Sequence, residues 1–186
     1  LAIPEAHIGL VPANETGESE QIIERAAAVA NDHLDLERIV ASGSRARLPI
    51  VEPSERGPAP QPTAVRIGIA RDEAFGFYYP GDLESLQAAG AELLPLDTLR
   101  EPALPCIDGL FLGGGFPERH MRELEANQRL RAAIRVAVED GLPVYAECGG
   151  LMYLSRQISW GDRRCEMVGV LPLDIAMSDK PQGRGY

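Results

Sequence analysis

The chain has 186 residues, 45% of them hydrophobic and 25% charged, a balance ordinary for one globular domain or one domain with an attached fragment. A formal net charge of −10 argues against a nucleic-acid binder, and no stretch has the apolar length of a membrane span or the form of a signal peptide. Three widely spaced cysteines, Cys106, Cys148 and Cys165, give neither a disulfide framework nor a CxxC pair for zinc, so a reduced, cytoplasmic setting is the simplest expectation.

The chain starts at Leu1 rather than Met, as a piece cut from something longer would. Residues 1–48 hold a short apolar run, Ile8-Gly9-Leu10-Val11, closed by Pro12. The spacing of Ile22, Ile23, Ala26, Ala27 and Ala30 predicts a helix over 18–33, and a second short helix fits 34–40. This segment is too small to bury a core alone and reads as the last piece of a preceding domain. Pro49, Pro53, Pro58, Pro60 and Pro62 then favour extended, solvated chain, so residues 49–64 are expected to be an interdomain linker.

From Val65 the pattern alternates between strands and helices. Strands are expected over 65–70, 91–96, 107–112 and 144–147. Asp82 is the expected N-cap of a helix over 83–89, with Gly90 as its stop. A longer helix over 122–139 carries an apolar line through Ala126, Leu130, Ala133, Ile134, Ala137 and Val138, and Gly141 and Pro143 end it. Residues 163–177 read as strand again. Strands separated by helices predict an α/β fold: a mostly parallel sheet flanked by helices, in which ligands gather at the carboxyl ends of the strands.

Two segments fall just past such ends. The apolar strand Leu142-Pro143-Val144-Tyr145-Ala146 runs through Glu147 into Cys148-Gly149-Gly150 and a helix-forming stretch, Leu151-Met152-Tyr153-Leu154. This is the plan of a nucleophile elbow, in which a tight turn lifts the reactive side chain above the sheet. A helix N-terminus behind a thiol favours its thiolate. Cys148 is therefore the candidate nucleophile, against the alternative of a buried structural cysteine. Cys106 and Cys165 lack such flanks and are assigned that structural role. The second segment, Gly113-Gly114-Gly115-Phe116-Pro117, is a glycine turn whose exposed amides suit a developing oxyanion, with the Gly149 amide as the other donor. The alternative is a plain glycine-rich turn. No Gly-Lys-Ser/Thr follows it, so it is not a phosphate loop.

A thiol nucleophile needs a base, and the histidines are His7, His33 and His120. His7 and His33 precede the linker, and His120 reads as an exposed helix-start residue rather than the base. The aromatic run Phe75-Gly76-Phe77-Tyr78-Tyr79-Pro80 reads as a loop packed on the sheet ahead of a recognition surface. Arg184, in Gln182-Gly183-Arg184-Gly185-Tyr186, is read as exposed, with pairing to a carboxylate as the alternative.

The run Ala146-Glu147-Cys148-Gly149-Gly150-Leu151-Met152-Tyr153-Leu154 resembles the nucleophile segment of the class I (triad) glutamine amidotransferase domain of cobyrinate a,c-diamide synthases. So do Leu112-Gly113-Gly114-Gly115-Phe116-Pro117-Glu118 and Asp72-Glu73-Ala74-Phe75-Gly76-Phe77-Tyr78-Tyr79-Pro80, in the same order. Ile3-Pro4-Glu5-Ala6-His7-Ile8-Gly9-Leu10-Val11 resembles the end of that family's ATP-dependent synthetase domain. The resemblance implies a flavodoxin-like amidotransferase domain over 65–186, incomplete at its C-terminus, behind a synthetase remnant over 1–48. It implies that Cys148 forms a glutamyl thioester, that Gly114 or Gly115 with Gly149 stabilises the oxyanion, and that the catalytic histidine lies beyond Tyr186. The ammonia released from glutamine would amidate the a and c acetate carboxylates of a corrinoid, with ATP and Mg²⁺ used by the synthetase domain. The ATP site would lie mostly outside this chain, and no cofactor or metal is expected in the chain itself. As given, the chain is expected to be inactive alone. A homodimer is one assembly the resemblance allows. The hydrogenobyrinate enzyme is a close variant, and cobyric acid synthase, whose nucleophile segment usually lacks the Leu-Met-Tyr-Leu continuation, is an alternative. A non-catalytic amidotransferase-like binding domain is the alternative of a different class.

Overall fold

A computed structural model describes residues 19–44, 65–178 and 180. The chain divides into two compact units, residues 1–57 and 58–186. The expectations for the run Ile8–Val11, for His7, for the linker over 49–64 and for Arg184 fall outside the described residues.

In the first unit, helix α1 (Ser19–His33) matches the helix expected over 18–33, whereas α2 (Leu36–Ser44) starts two residues later and ends four residues later than the helix expected over 34–40. Their junction is capped by Asp35, whose Oδ1 accepts from the Arg38 amide at 2.9 Å.

The second unit is built on a parallel sheet of four strands in the order β3-β1-β4-β6. These are Ala91–Leu96, Val65–Ala70, Gly109–Leu112 and Val144–Ala146. Strand β1 pairs along its length with β3, from Val65↔Ala91 to Ala70↔Leu96, and Leu112 of β4 pairs with Ala146 of β6. The registers bring the carboxyl ends of all four strands to one edge. The chain order reverses between β1 and β4, which makes the gap above those two strands the place where such sheets hold ligands.

Helix α3 (Pro80–Ala88) begins at Pro80 with Tyr79 as its N-cap, not at Asp82. Proline is pre-set for the first helical position, and Asp82 falls in the first turn with its amide on the Tyr79 carbonyl at 3.0 Å. Strand β4 starts two residues later than its apolar run, because Asp108 is bound to the start of β1. Its amide donates to the Arg66 carbonyl and its Oδ2 accepts from the Arg66 amide, each at 2.7 Å.

The long helix expected over 122–139 is two helices, α4 (Met121–Ala126) and α5 (Gln128–Glu139). Asn127 breaks it. Its side chain accepts from the Leu130 amide as N-cap of α5 and donates to the carbonyls of Thr98 and Glu101 at 2.9 and 2.8 Å. Gly141, at φ 99°, ends α5 in the left-handed conformation. Helix α6 (Gly149–Leu154) follows β6.

The strand expected over 163–177 becomes two strands of a second, three-stranded sheet, β8 (Arg163–Glu166) and β9 (Asp174–Ala176). They flank β7 (Gln157–Trp160), one antiparallel and one parallel to it. Strand β7 buries only Ile158, too weak a pattern to read from sequence.

Leu110, Leu112, Leu124, Leu130, Ile134, Tyr153, Ile158 and Met167 are among the residues of one continuous core joining the parallel sheet to α4, α5, α6 and the second sheet. Between Leu110 and Leu112, Phe111 points to the opposite face, where its ring meets Tyr78 and Tyr145 edge-on at 5.1 and 5.0 Å.

Candidate functional site

Strand β6 ends at Ala146, and the chain turns into α6 through Glu147 and Cys148. Cys148 takes φ 48° and ψ −113°, and among the described residues it is the only non-glycine with positive φ. A side chain held in that region is strained, by roughly 1–3 kcal/mol, and surrounding contacts must enforce it. They are visible here. The Gly150 amide reaches the carbonyls of Glu147 at 2.8 Å and Gly113 at 3.0 Å, and the Glu147 amide reaches the Leu112 carbonyl at 3.1 Å. The turn is thereby clamped to the neighbouring strand β4. Cys148 is exposed, as a nucleophile must be, whereas Cys165 is buried and burial pushes its thiol pKa up.

Cys106 departs from the structural role expected of it. It is exposed, with its sulfur accepting from Arg66 Nη2 at 2.8 Å, because the segment before β4 runs along the surface.

Gly113, Gly114 and Gly115 leave β4 at the same edge. Gly114–Gly115 forms a short strand, β5, antiparallel to β2 (Phe75–Phe77), with Phe77 opposite Gly114 and Phe75 opposite Gly115. The glycine turn and the cysteine turn meet. A methyl placed on Gly114 would stand 3.8 Å from Cys148 Cβ, and one placed on Gly149 would stand 2.8 Å from the Gly115 carbonyl oxygen. Cys148, Gly114, Gly115 and Gly149 thus share one corner above β4 and β6.

Sequence reasoning missed the polar frame beneath that corner. The buried side of the aromatic run is packing: Phe75 is fully buried against Tyr153, and Phe77 meets Phe116 edge-on at 5.4 Å. The Tyr78 hydroxyl, however, donates to the Ala70 carbonyl at 2.5 Å and accepts from the Gly113 amide at 3.0 Å. Of the four rings in the run, Tyr79 is the exposed one, at 73%. Just upstream, Asp72 fixes the turn after β1. Its carboxylate accepts from the amides of Ala74, Phe75 and Thr98 and from the Thr98 hydroxyl at 2.6–3.0 Å. Burial raises the Asp72 pKa, against the lowering pull of those four bonds. An acidic residue three positions ahead of an aromatic run was the available signal.

His120 is half-buried rather than exposed, and its Nε2 is sealed without a hydrogen-bond partner. The residue stands between the turn Pro117–Arg119 and the start of α4, capping both. Glu147 accepts from the Tyr145 hydroxyl at 3.2 Å, beside an open cleft of about 630 Å³ lined by Phe111, Val144, Tyr145 and, from α3, Ser85 and Leu86.

No group of three His, Cys, Asp or Glu among the described residues is placed to hold a metal ion. No described helix is long and apolar enough to cross a membrane.

Residues 66–186 match the family described as the CobB/CobQ-like glutamine amidotransferase domain. Over its whole length the chain is 46% identical to the cobyrinate a,c-diamide synthase of Magnetococcus marinus. It is 42% identical to that of Dehalococcoides mccartyi and 38% identical to that of Archaeoglobus fulgidus, again along all of this chain. It spans about 41% of the length of the first two and 40% of the third.

Proposed function

The chain belongs to the CobB/CobQ-like glutamine amidotransferase family, and from that membership we propose that it carries the glutaminase half-site of a cobyrinate a,c-diamide synthase, with Cys148 as nucleophile. One observation carries the reading: an exposed cysteine in a strained strand-to-helix turn, set against a glycine turn at the carboxyl edge of a parallel sheet.

The sulfur of Cys148 attacks the side-chain amide carbon of glutamine and forms a C–S bond, and the carbonyl oxygen becomes an oxyanion. The Gly149 amide and that of Gly114 or Gly115 stabilise the oxyanion. The Gly150 amide is already committed to two carbonyls, which leaves Gly149 as the donor on the cysteine side. The tetrahedral centre collapses with loss of the C–N bond. The proton first held by the thiol ends on the nitrogen, ammonia leaves, and a glutamyl thioester remains. Water then hydrolyses it to glutamate and the free thiol.

The longer relatives are cobyrinate a,c-diamide synthases. The ammonia released here would accordingly amidate the two acetate carboxylates of a corrinoid, with ATP supplying the activation.

The test is alkylation by a chloroketone analogue of glutamine, read by mass spectrometry. In wild type the Cys148 thiolate is expected to displace chloride from the analogue and form one S–C adduct, with free glutamine protecting it. Cys148→Ser is expected to take none. Labelling that glutamine does not slow, or that falls on Cys106 instead, overturns the proposal.

A further inference from the structure

The Tyr78 phenol sits where the order of the parallel sheet reverses. Its hydroxyl donates to Ala70, the last residue of β1, at 2.5 Å, and lies 3.5 Å from the carbonyl of Phe111 in β4. It accepts from the Gly113 amide at 3.0 Å. The other side of that glycine is held too, since the Gly113 carbonyl accepts from the Gly150 amide at 3.0 Å. One residue therefore links the phenol to the helix that follows Cys148. The ring explains the glycine: a methyl on Gly113 would lie 2.5 Å from Tyr78 Cε1 and 2.7 Å from Cζ.

We propose that Tyr78 is a positioning residue for the half-site: its hydroxyl fixes the peptide plane of Gly113, and through it the backbone of Gly114 and Gly115 beside Cys148. This inference rests on the reading of Cys148 as the glutamine-directed nucleophile. The hydroxyl is suited to the task. Burial pushes its pKa well above the ordinary tyrosine range, so it keeps its proton for the Ala70 carbonyl while its lone pair takes the Gly113 amide. Without the oxygen, the ring still fills its place against Phe111, but the Gly113 amide and the Ala70 carbonyl lose their partner in a partly buried site. An oxyanion donor displaced by a fraction of an ångström loses much of its effect, because its strength depends on prior alignment.

The experiment compares wild type with Tyr78→Phe in the full 186-residue chain. Each is labelled with the chloroketone glutamine analogue, whose ketone oxygen takes the oxyanion position, and with iodoacetamide, which needs no such donors. For Tyr78→Phe the maximal rate of analogue labelling is expected to fall about 10-fold, the size of one lost alignment bond, with the half-saturating concentration and the iodoacetamide rate unchanged. An unchanged analogue rate overturns the inference, and so does an equal fall in both labels, which marks general loosening. A wild type that glutamine does not protect overturns the nucleophile reading, and this inference with it. Should Tyr78→Phe fail to fold, amide hydrogen exchange on wild type decides: Gly113 is expected to be protected like the strand amides of β4, and free exchange there overturns the proposal.

Discussion

A methyl group placed on Gly150 would lie 2.1 Å from the Leu112 carbonyl oxygen, and one on Gly149 would press on Gly115 and Pro117 at 2.8–2.9 Å. Both glycines are required by close approach of backbone to backbone, not by torsion. The unusual torsion belongs to Cys148 itself, at φ 48°. A Cβ in that region is strained, which gives a prediction about stability that runs against ordinary propensity. Cys148→Gly is expected to be more stable than Cys148→Ala by about 1 kcal/mol, because glycine relieves the strain that alanine keeps. The midpoints of urea unfolding measure this, and an alanine variant at least as stable as the glycine variant would refute it. The sequence signalled the elbow through the glycine pair. The elbow plan puts the nucleophile at the tight turn, and the structure shows how its positive φ is held, by contacts from β4, a strand more than thirty residues earlier.

Between elements, two polar ties hold the loops that frame the site. Asp72 links the turn after β1 to Thr98 after β3, and beside it Arg100 grips Glu73 through both guanidinium nitrogens at 2.8 and 2.6 Å. The Arg100 bond holds the Glu73 pKa down at about 2, from an ordinary value of 4.5. A carboxylate depressed in the folded state adds stability that is fully present above pH 4.5 and is lost as the pH falls toward 2, because the unfolded chain takes up the proton first. The thermal midpoint of wild type is therefore expected to drop more steeply over that interval than that of Glu73→Gln, the difference being modest for a pair this exposed. Parallel curves for the two proteins would remove the pair from the account. Asn127 shows why helix limits were harder to read than helices. The apolar line through Leu130 and Ile134 is continuous in sequence. The break comes from a side chain bound to the distant carbonyls of Thr98 and Glu101.

At the scale of the molecule, the continuous core among the described residues runs from Ala70 to Val168, and no described residue of α1 or α2 is buried. A chain beginning at residue 58 is therefore expected to keep the cooperative melting and near-ultraviolet circular dichroism of the core. Loss of either would show that residues 1–57 hold part of the fold. Alternating strands and helices made the parallel sheet legible, since period and punctuation are local properties of the chain. The two reactive-looking turns were legible too, as glycines directly after apolar strands. Which strands are neighbours is not local. Only tertiary packing, by setting β4 beside β6, brought the Gly113 turn against Cys148, and only packing across the switch from β1 to β4 gave Tyr78 its hold on that turn. Residues so far apart in the chain meet because a sheet aligns strand ends by hydrogen-bond register, and register is fixed by pairs of segments together, never by one of them alone.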